Sequence, residues 1–198
     1  MDFANTPTLE TERLILRKFT ENDIEALFDI YKDRDVNTYL PWFPLKSLDE
    51  AKVFFKERYL EVYNQPCGYK YAICLKSDNI PIGYVNVSMD DSHDLGYGLR
   101  KEFWHKGIVS EASKAVIEQV KKDGLLYITA THDIKNPRSG KVMKQSGMSY
   151  KYSYEEQWHP KNILVTFRMY QLNFDCNHDR VYKKYWDNST VHFIETDI

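Results

Sequence analysis

A chain of 198 residues, 42% of them hydrophobic, is long enough for one domain with a sizeable core and too short for two full ones. Its formal net charge of −2 argues against a generally nucleic-acid-binding surface, which would be basic. No basic start leads into an apolar run, and nowhere do about 18 apolar residues follow one another. A cytoplasmic protein with no membrane partner is therefore the expectation. Cys67, Cys74 and Cys176 are odd in number and lack C-x-x-C spacing, which suits reduced thiols rather than a disulfide framework or structural zinc. The Asn188-Ser-Thr sequon is read as chance.

In chain order, the segment from Thr11 to Phe19 reads as a first strand, and Thr20 with Asp23 starts a helix that carries Ile24, Leu27, Phe28 and Tyr31 at helical spacing. A proline-broken aromatic segment, Tyr39 to Pro44, separates it from a second helix. Ser47 and Glu50 form a capping box there, ahead of Phe54, Phe55, Tyr59 and Val62. This loop and helix are a candidate lid. Strands follow near 69–76, 81–89 and 94–100, joined by turn-rich clusters that suit hairpins. Gly96 and Gly98 inside the third of these strands predict a bulge. A helix over 107–122 shows Ile108, Ala112, Val116 and Val120 on one face and ends at Gly124, before a strand at 125–131. Asn136-Pro-Arg-Ser opens a short helix closed near Gly147. Strands at 148–154 and 163–172 complete the sheet, and a hairpin around Asp187 is expected in the tail. The order predicts an α+β fold: a mostly antiparallel sheet of six to seven strands with flanking helices and a central βαβ unit. Residues 7–174 form the expected domain, and 175–198 a C-terminal extension.

Charge is unevenly spread. From Arg100 to Lys144 ten lysines or arginines stand against five acids, so the segment is +5 and the remainder −7. Inside it, Gly107 sits between a strand and an amphipathic helix. Helix starts expose unpaired N–H groups and a positive dipole end, and a glycine admits close approach of a ligand. The stretch from Phe103 to Ala112 is thus a candidate phosphate site, with a solvated basic helix face as the plainer reading. Asp91, His93 and Asp94 are better explained by a polar hairpin loop than by a metal site, and the six histidines lack the spacing of a zinc site or a triad.

These residues resemble the GNAT superfamily of N-acetyltransferases, whose pyrophosphate motif Q/R-x-x-G-x-G/A corresponds to Trp104-His-Lys-Gly107-Ile-Val109 here. Trp104 and Val109 depart from that pattern, yet Trp-x-x-Gly-x-x-x-Glu-Ala is similar to the branch of ribosomal-protein N-terminal acetyltransferases. Asn136-Pro-Arg-Ser139 and the opening Glu10-Thr-Glu-Arg-Leu-Ile-Leu-Arg17 resemble that branch too. The resemblance implies acetyl-coenzyme A as donor and no metal. Its pyrophosphate would lie on Lys106, Gly107, Ile108, Val109 and Ser110, beside Trp104 and His105, and its pantetheine arm along Leu99 and Arg100. It also implies Ser139 as proton donor to the departing thiolate, with Asn136 ordering the turn, where plain helix capping is the competing role. Met143 occupies the place of the family's usual tyrosine acid. For the base the candidates are Glu155 and Glu156, near a strand position held by Trp158. Tyr39, Trp42 and Trp158 are candidate acceptor-binding residues. The acceptor implied is a primary amine, foremost a protein or peptide α-amine, in a monomer or homodimer. A small amine such as an amino acid, polyamine or aminoglycoside is the alternative, as is an acyl-coenzyme A-binding module without turnover.

Overall fold

The computed structural model describes residues 4–198. The chain opens with β1 (Leu9–Glu10) and β2 (Leu14–Arg17), whose Leu14 and Leu16 are fully buried while alternate residues face outward. A 3-10 turn leads into α1 (Ile24–Lys32), where the Asp23 carboxylate accepts from the N–H of Thr20 at 2.8 Å. Ahead of α2 (Leu48–Phe55), Ser47 Oγ accepts from the Glu50 N–H at 3.1 Å, and Glu50 reaches back to the N–H of Lys46 at 2.8 Å, so the box is one residue wider than expected. The helix then widens into a π-turn over Lys56–Leu60 before α3 (Glu61–Tyr63). Tyr59, within the π-turn, is buried with its hydroxyl 2.7 Å from that of Tyr31.

The strands β3 (Tyr69–Leu75), β4 (Pro81–Val87) and β5 (Leu95–Leu99) match the three expected there. They are followed by α4 (Ile108–Lys122), β6 (Tyr127–Asp133), α5 (Pro137–Gln145), β7 (Ser149–Trp158) and β8 (Ile163–Asn173). Gly124 at φ +90 and Gly147 at φ +85 end the two helices in the left-handed region, which a side chain would disfavour. The tail differs from the expected hairpin. It holds a single helical turn, α6 (Lys184–Asn188), and a two-residue strand β9 (His192–Phe193) that pairs with β7.

Among the described residues nine strands form two sheets, in the order β1-β2-β3-β4-β5 and β6-β8-β7-β9, and all ladders are antiparallel. Seven of the strands have four residues or more, so the fold is the expected α+β arrangement with two short edge strands added. Around α4, β5 and β6 run parallel and touch at one bridge, Asp94 with Thr129. Beyond that bridge the sheets splay apart. One core packs α4 and α5 against the sheets, and a second packs α1 and α2 against the opposite face of β3 and β4. A third lies under the tail.

The bulge expected at Gly96 and Gly98 is not formed, since β4 and β5 pair in unbroken register from Val87 with Leu95 to Gly83 with Leu99. Packing explains Gly98 instead. A Cβ there would stand 2.5 Å from the ring of Tyr84, which crosses over the strand.

Candidate active site

The splay between β5 and β6 opens a cleft of about 910 Å³, within the range of small-molecule sites. Backbone geometry shapes its first wall. The Arg100 N–H donates to the Ile82 carbonyl and the Ser88 N–H to the Asp94 carbonyl, which fixes the alternation of the β4–β5 ladder between them. By that alternation the N–H and C=O groups of Tyr97 and Leu99 point away from β4, to the open side. The Leu99 carbonyl accepts from the Trp104 indole at 2.7 Å, leaving the Tyr97 pair and the Leu99 N–H unclaimed along that edge. Arg100 departs from its expected place: its N–H serves β4, its side chain pairs with Glu102, and it does not line the cleft.

The turn after β5 forms the next wall. His105 at φ +62 and Gly107 at φ +73 are both left-handed, so the backbone curls before α4 starts at Ile108. Lys106, Gly107, Ile108, Val109 and Ser110 line the cleft with His105 and Trp104, and the Arg138 guanidinium lies 5.4 Å from the Trp104 ring centre. Curled N–H groups at the first turn of a fifteen-residue helix make an anion cradle.

On α5, Asn136 acts as N-cap, its side-chain oxygen accepting from the Ser139 N–H at 3.4 Å. Ser139 Oγ faces the cleft 2.8 Å from the hydroxyl of Tyr97, which also donates to the Ser139 carbonyl at 2.9 Å. Burial holds the Tyr97 phenol well above its usual pKa, so it stays protonated. Met143 is buried in the core. Tyr97 supplies, from the strand, a phenol next to Ser139.

Asp94, which the sequence places in a polar hairpin loop, takes a different position in the structure. It stands just before β5, on the face that carries Gly96 and Gly98, at the point where the sheets part, and it lines the cleft. Its carboxyl is pushed up to about 7, mainly by burial and also by the charge of Glu156, against opposing hydrogen bonds from Thr129 and the Thr131 backbone. The signal was its position: with alternation through 94, 96 and 98, an acid sits beside two residues that have no side chain to hide it. Glu156 shares the face of β7 that carries Tyr154 and Trp158, and burial raises its carboxyl. Glu155 lies on the opposite face, near Thr166 and Ser189, and neither glutamate lines the cleft.

Tyr39, Trp42 and Trp158 all line the cleft with Phe167 and Asn86. The loop that holds the first two is tied across the opening. Tyr39 donates to the Lys135 carbonyl at 3.0 Å, and Lys161, from the β7–β8 turn, donates to the Asn37 carbonyl at 2.8 Å. Asn37 is buried and accepts from the Trp42 indole at 3.2 Å. Among the described residues no group of three or more His, Cys, Asp or Glu is placed to hold a metal, and no helix is long and apolar enough to cross a membrane.

Comparison with known proteins agrees with this geometry. The chain is 28% identical over 146 residues to the uncharacterized N-acetyltransferase YoaA of Bacillus subtilis, covering 71% of this chain and 82% of that protein. A GNAT-family acetyltransferase of Bacillus anthracis superposes with a TM-score of 0.72 at 24% identity, over 85% of this chain and 99% of that one. The ribosomal-protein-S5-alanine acetyltransferase of Vibrio fischeri does so at 0.69 and 20% identity, over 86% and 98%. At these identities the two structures speak for the fold alone. The acetyltransferase (GNAT) domain matches residues 13–149, more than half of the chain, and the protein therefore belongs to the GNAT family of N-acetyltransferases, enzymes that take acetyl from acetyl-coenzyme A.

Proposed function

We propose that this enzyme acetylates the α-amine of a protein or peptide, with Asp94 as base and Ser139, backed by Tyr97, as acid. The observation that carries this reading is a cleft with a donor wall and an acceptor wall meeting where β5 leaves β6. The fit to the donor rests on the unclaimed edge of β5 and the cradle at Gly107. Tyr97 and Leu99 would pair with the pantetheine amides, and the N–H groups from Lys106 to Ser110 would hold the diphosphate. When bound, the donor supplies a thioester whose C–S bond breaks as the amine nitrogen forms the new C–N bond. The ammonium proton passes to Asp94, and the thiolate takes one from Ser139, whose hydroxyl the neighbouring Tyr97 holds in place and water reprotonates.

Acceptor pKa favours an α-amine. At ~7.7–8.0 it is roughly 10–20% neutral at pH 7, whereas a lysine amine near ~10.4 is below about 0.1%. A carboxylate of pKa about 7 is matched to the first and poorly matched to the second. Tyr39, Trp42 and Trp158 would flank the acceptor chain, and residues 175–198 would be an extension appended to a domain of residues 7–174.

The test is coenzyme A release from acetyl-coenzyme A over a panel of N-terminal peptides, amino acids, polyamines and aminoglycosides, with product masses. Release with peptides that vanishes when their α-amine is blocked is the expected result. Turnover confined to small amines would move the acceptor to that class, and silence with intact donor binding would leave a non-catalytic acyl-coenzyme A-binding module. Separately, Gly107→Val places a β-branched residue at φ +73, a strain of roughly 1–3 kcal/mol that the turn can relieve by uncurling. Coenzyme A affinity measured by calorimetry is expected to fall about tenfold or more with the fold retained; unchanged affinity would overturn the diphosphate assignment.

A further inference from the structure

Two stretches far apart in sequence meet at the back of the glycine turn. Arg13, just before β2, sends Nη1 to the Lys106 carbonyl at 2.9 Å and Nε to the Glu111 carboxylate at 2.7 Å, with Nη2 of the same guanidinium 2.6 Å from Glu111 Oε2. The other carboxylate oxygen accepts from the Thr11 hydroxyl at 2.5 Å and from the Arg13 N–H at 3.0 Å. Thr11 Oγ1 in turn accepts from the Leu14 N–H at 3.0 Å. The planar fork of arginine thus spans a carbonyl and a carboxylate at once, which the ammonium of a lysine cannot match in geometry.

Glu111 is the fourth residue of α4, and an acid there opposes an anion at the helix start. Burial pushes its carboxyl up, but the hydrogen bonds from Thr11 and Arg13 outweigh this and hold it below its usual pKa. Its charge is therefore engaged on the outer side of the turn. The Lys106 carbonyl is engaged there too. In a trans peptide the C=O and the following N–H point in opposite directions, so fixing the Lys106 oxygen outward fixes the Gly107 N–H inward, toward the cleft.

We infer that Arg13 is a positioning residue for the donor diphosphate, holding the Lys106–Gly107 peptide in the orientation that presents its N–H to the phosphate. The inference rests on the diphosphate reading of the glycine turn. It also gives the two motifs at Glu10 to Arg17 and Trp104 to Ala112 one physical purpose, since each supplies half of the clamp. His105, held at φ +62 beside this peptide, is the strained residue that the clamp keeps in place.

The test compares binding of coenzyme A with that of pantetheine, which lacks the diphosphate, by calorimetry on wild type, Arg13→Ala and Arg13→Lys. Wild type should prefer coenzyme A. Arg13→Ala should lose about tenfold in coenzyme A affinity, the scale of one hydrogen bond to a charged group, with pantetheine affinity unchanged. Arg13→Lys keeps the charge against Glu111 and the thermal stability, yet should still lose coenzyme A affinity severalfold because it cannot bridge both oxygens. Equal loss on both ligands would reduce Arg13 to a general structural role and overturn the inference, as would an undiminished preference in both variants. A wild type without preference would instead overturn the diphosphate site itself.

Discussion

Asp94→Asn is expected to lower kcat by roughly 10²–10⁴, the scale of a lost general base, while making the protein more stable at pH 8. The two effects have one cause. In the folded chain the carboxyl titrates near 7 because burial, with Glu156 close by, penalises its charge. In the unfolded chain it titrates near ~3.9. Between those values the native state holds a proton that the unfolded state has released, so the penalty is absent below about pH 4, grows as pH rises, and is complete above about pH 7. An amide resembles the neutral acid and escapes that penalty. Melting temperatures of variant and wild type should therefore converge near pH 4 and separate in the variant's favour at pH 8. In activity, the wild-type rise in kcat with an apparent pKa near 7 should disappear in the variant. Reduced activity together with reduced stability at pH 8 would mark Asp94 as structural, and retained activity would remove it as base.

The difference between Asp94 and Glu155 shows what could be read in the residues and what could not. The order of elements, the βαβ unit and the glycine turn followed from periodicity, caps and left-handed glycines, all of which act over a few residues. So did the placement of Ser139, since Asn136 caps the same short helix that presents it. Which acid faces the cleft is a different kind of question. It depends on where β5 and β6 part, and on which face of β7 turns toward that opening. A one-residue change of register exchanges the faces of a strand, so Glu155 and Glu156 could not be told apart in the sequence. Tyr97 was hidden for the same reason: its partner Ser139 lies 42 residues on, across the splay. The bulge at Gly96 and Gly98 failed because a strand glycine has two physical causes, a broken ladder or a ring that needs its space, and at Gly98 Tyr84 supplies the second, while a Cβ at Gly96 would meet nothing within 4 Å.

The C-terminal extension carries the other large expected effect. The sequence leads to a hairpin around Asp187, whereas the extension covers a core cluster of its own, with Val181, Tyr182, Tyr185 and Trp186 packed on Tyr152, Tyr154, Val165, Phe167 and Met169. Tyr185 stacks on Tyr154 with ring centres 5.1 Å apart and planes 5° from parallel, and its hydroxyl stands beside Ser92 and Thr129, next to Asp94. Further on, Glu195 pairs with Arg168 and accepts from Ser153, while β9 takes up the edge of β7. Ending the chain at Phe174 would bare these tyrosines and an unpaired strand edge together, and aggregation during purification is the expected outcome. Tyr185→Ala is the milder version. Loss of the stacked ring should cost about 2–3 kcal/mol, which for a chain of this size lowers the melting temperature by roughly 4–12 °C. Because the Tyr185 phenol stands near Asp94, its removal is expected to let water nearer the carboxyl and relieve the burial that raises it, so that the rise of kcat with pH moves to lower pH. A destabilised variant whose pH profile stays where it was would confine the tail to a structural role; a shifted profile would make it a wall of the active site.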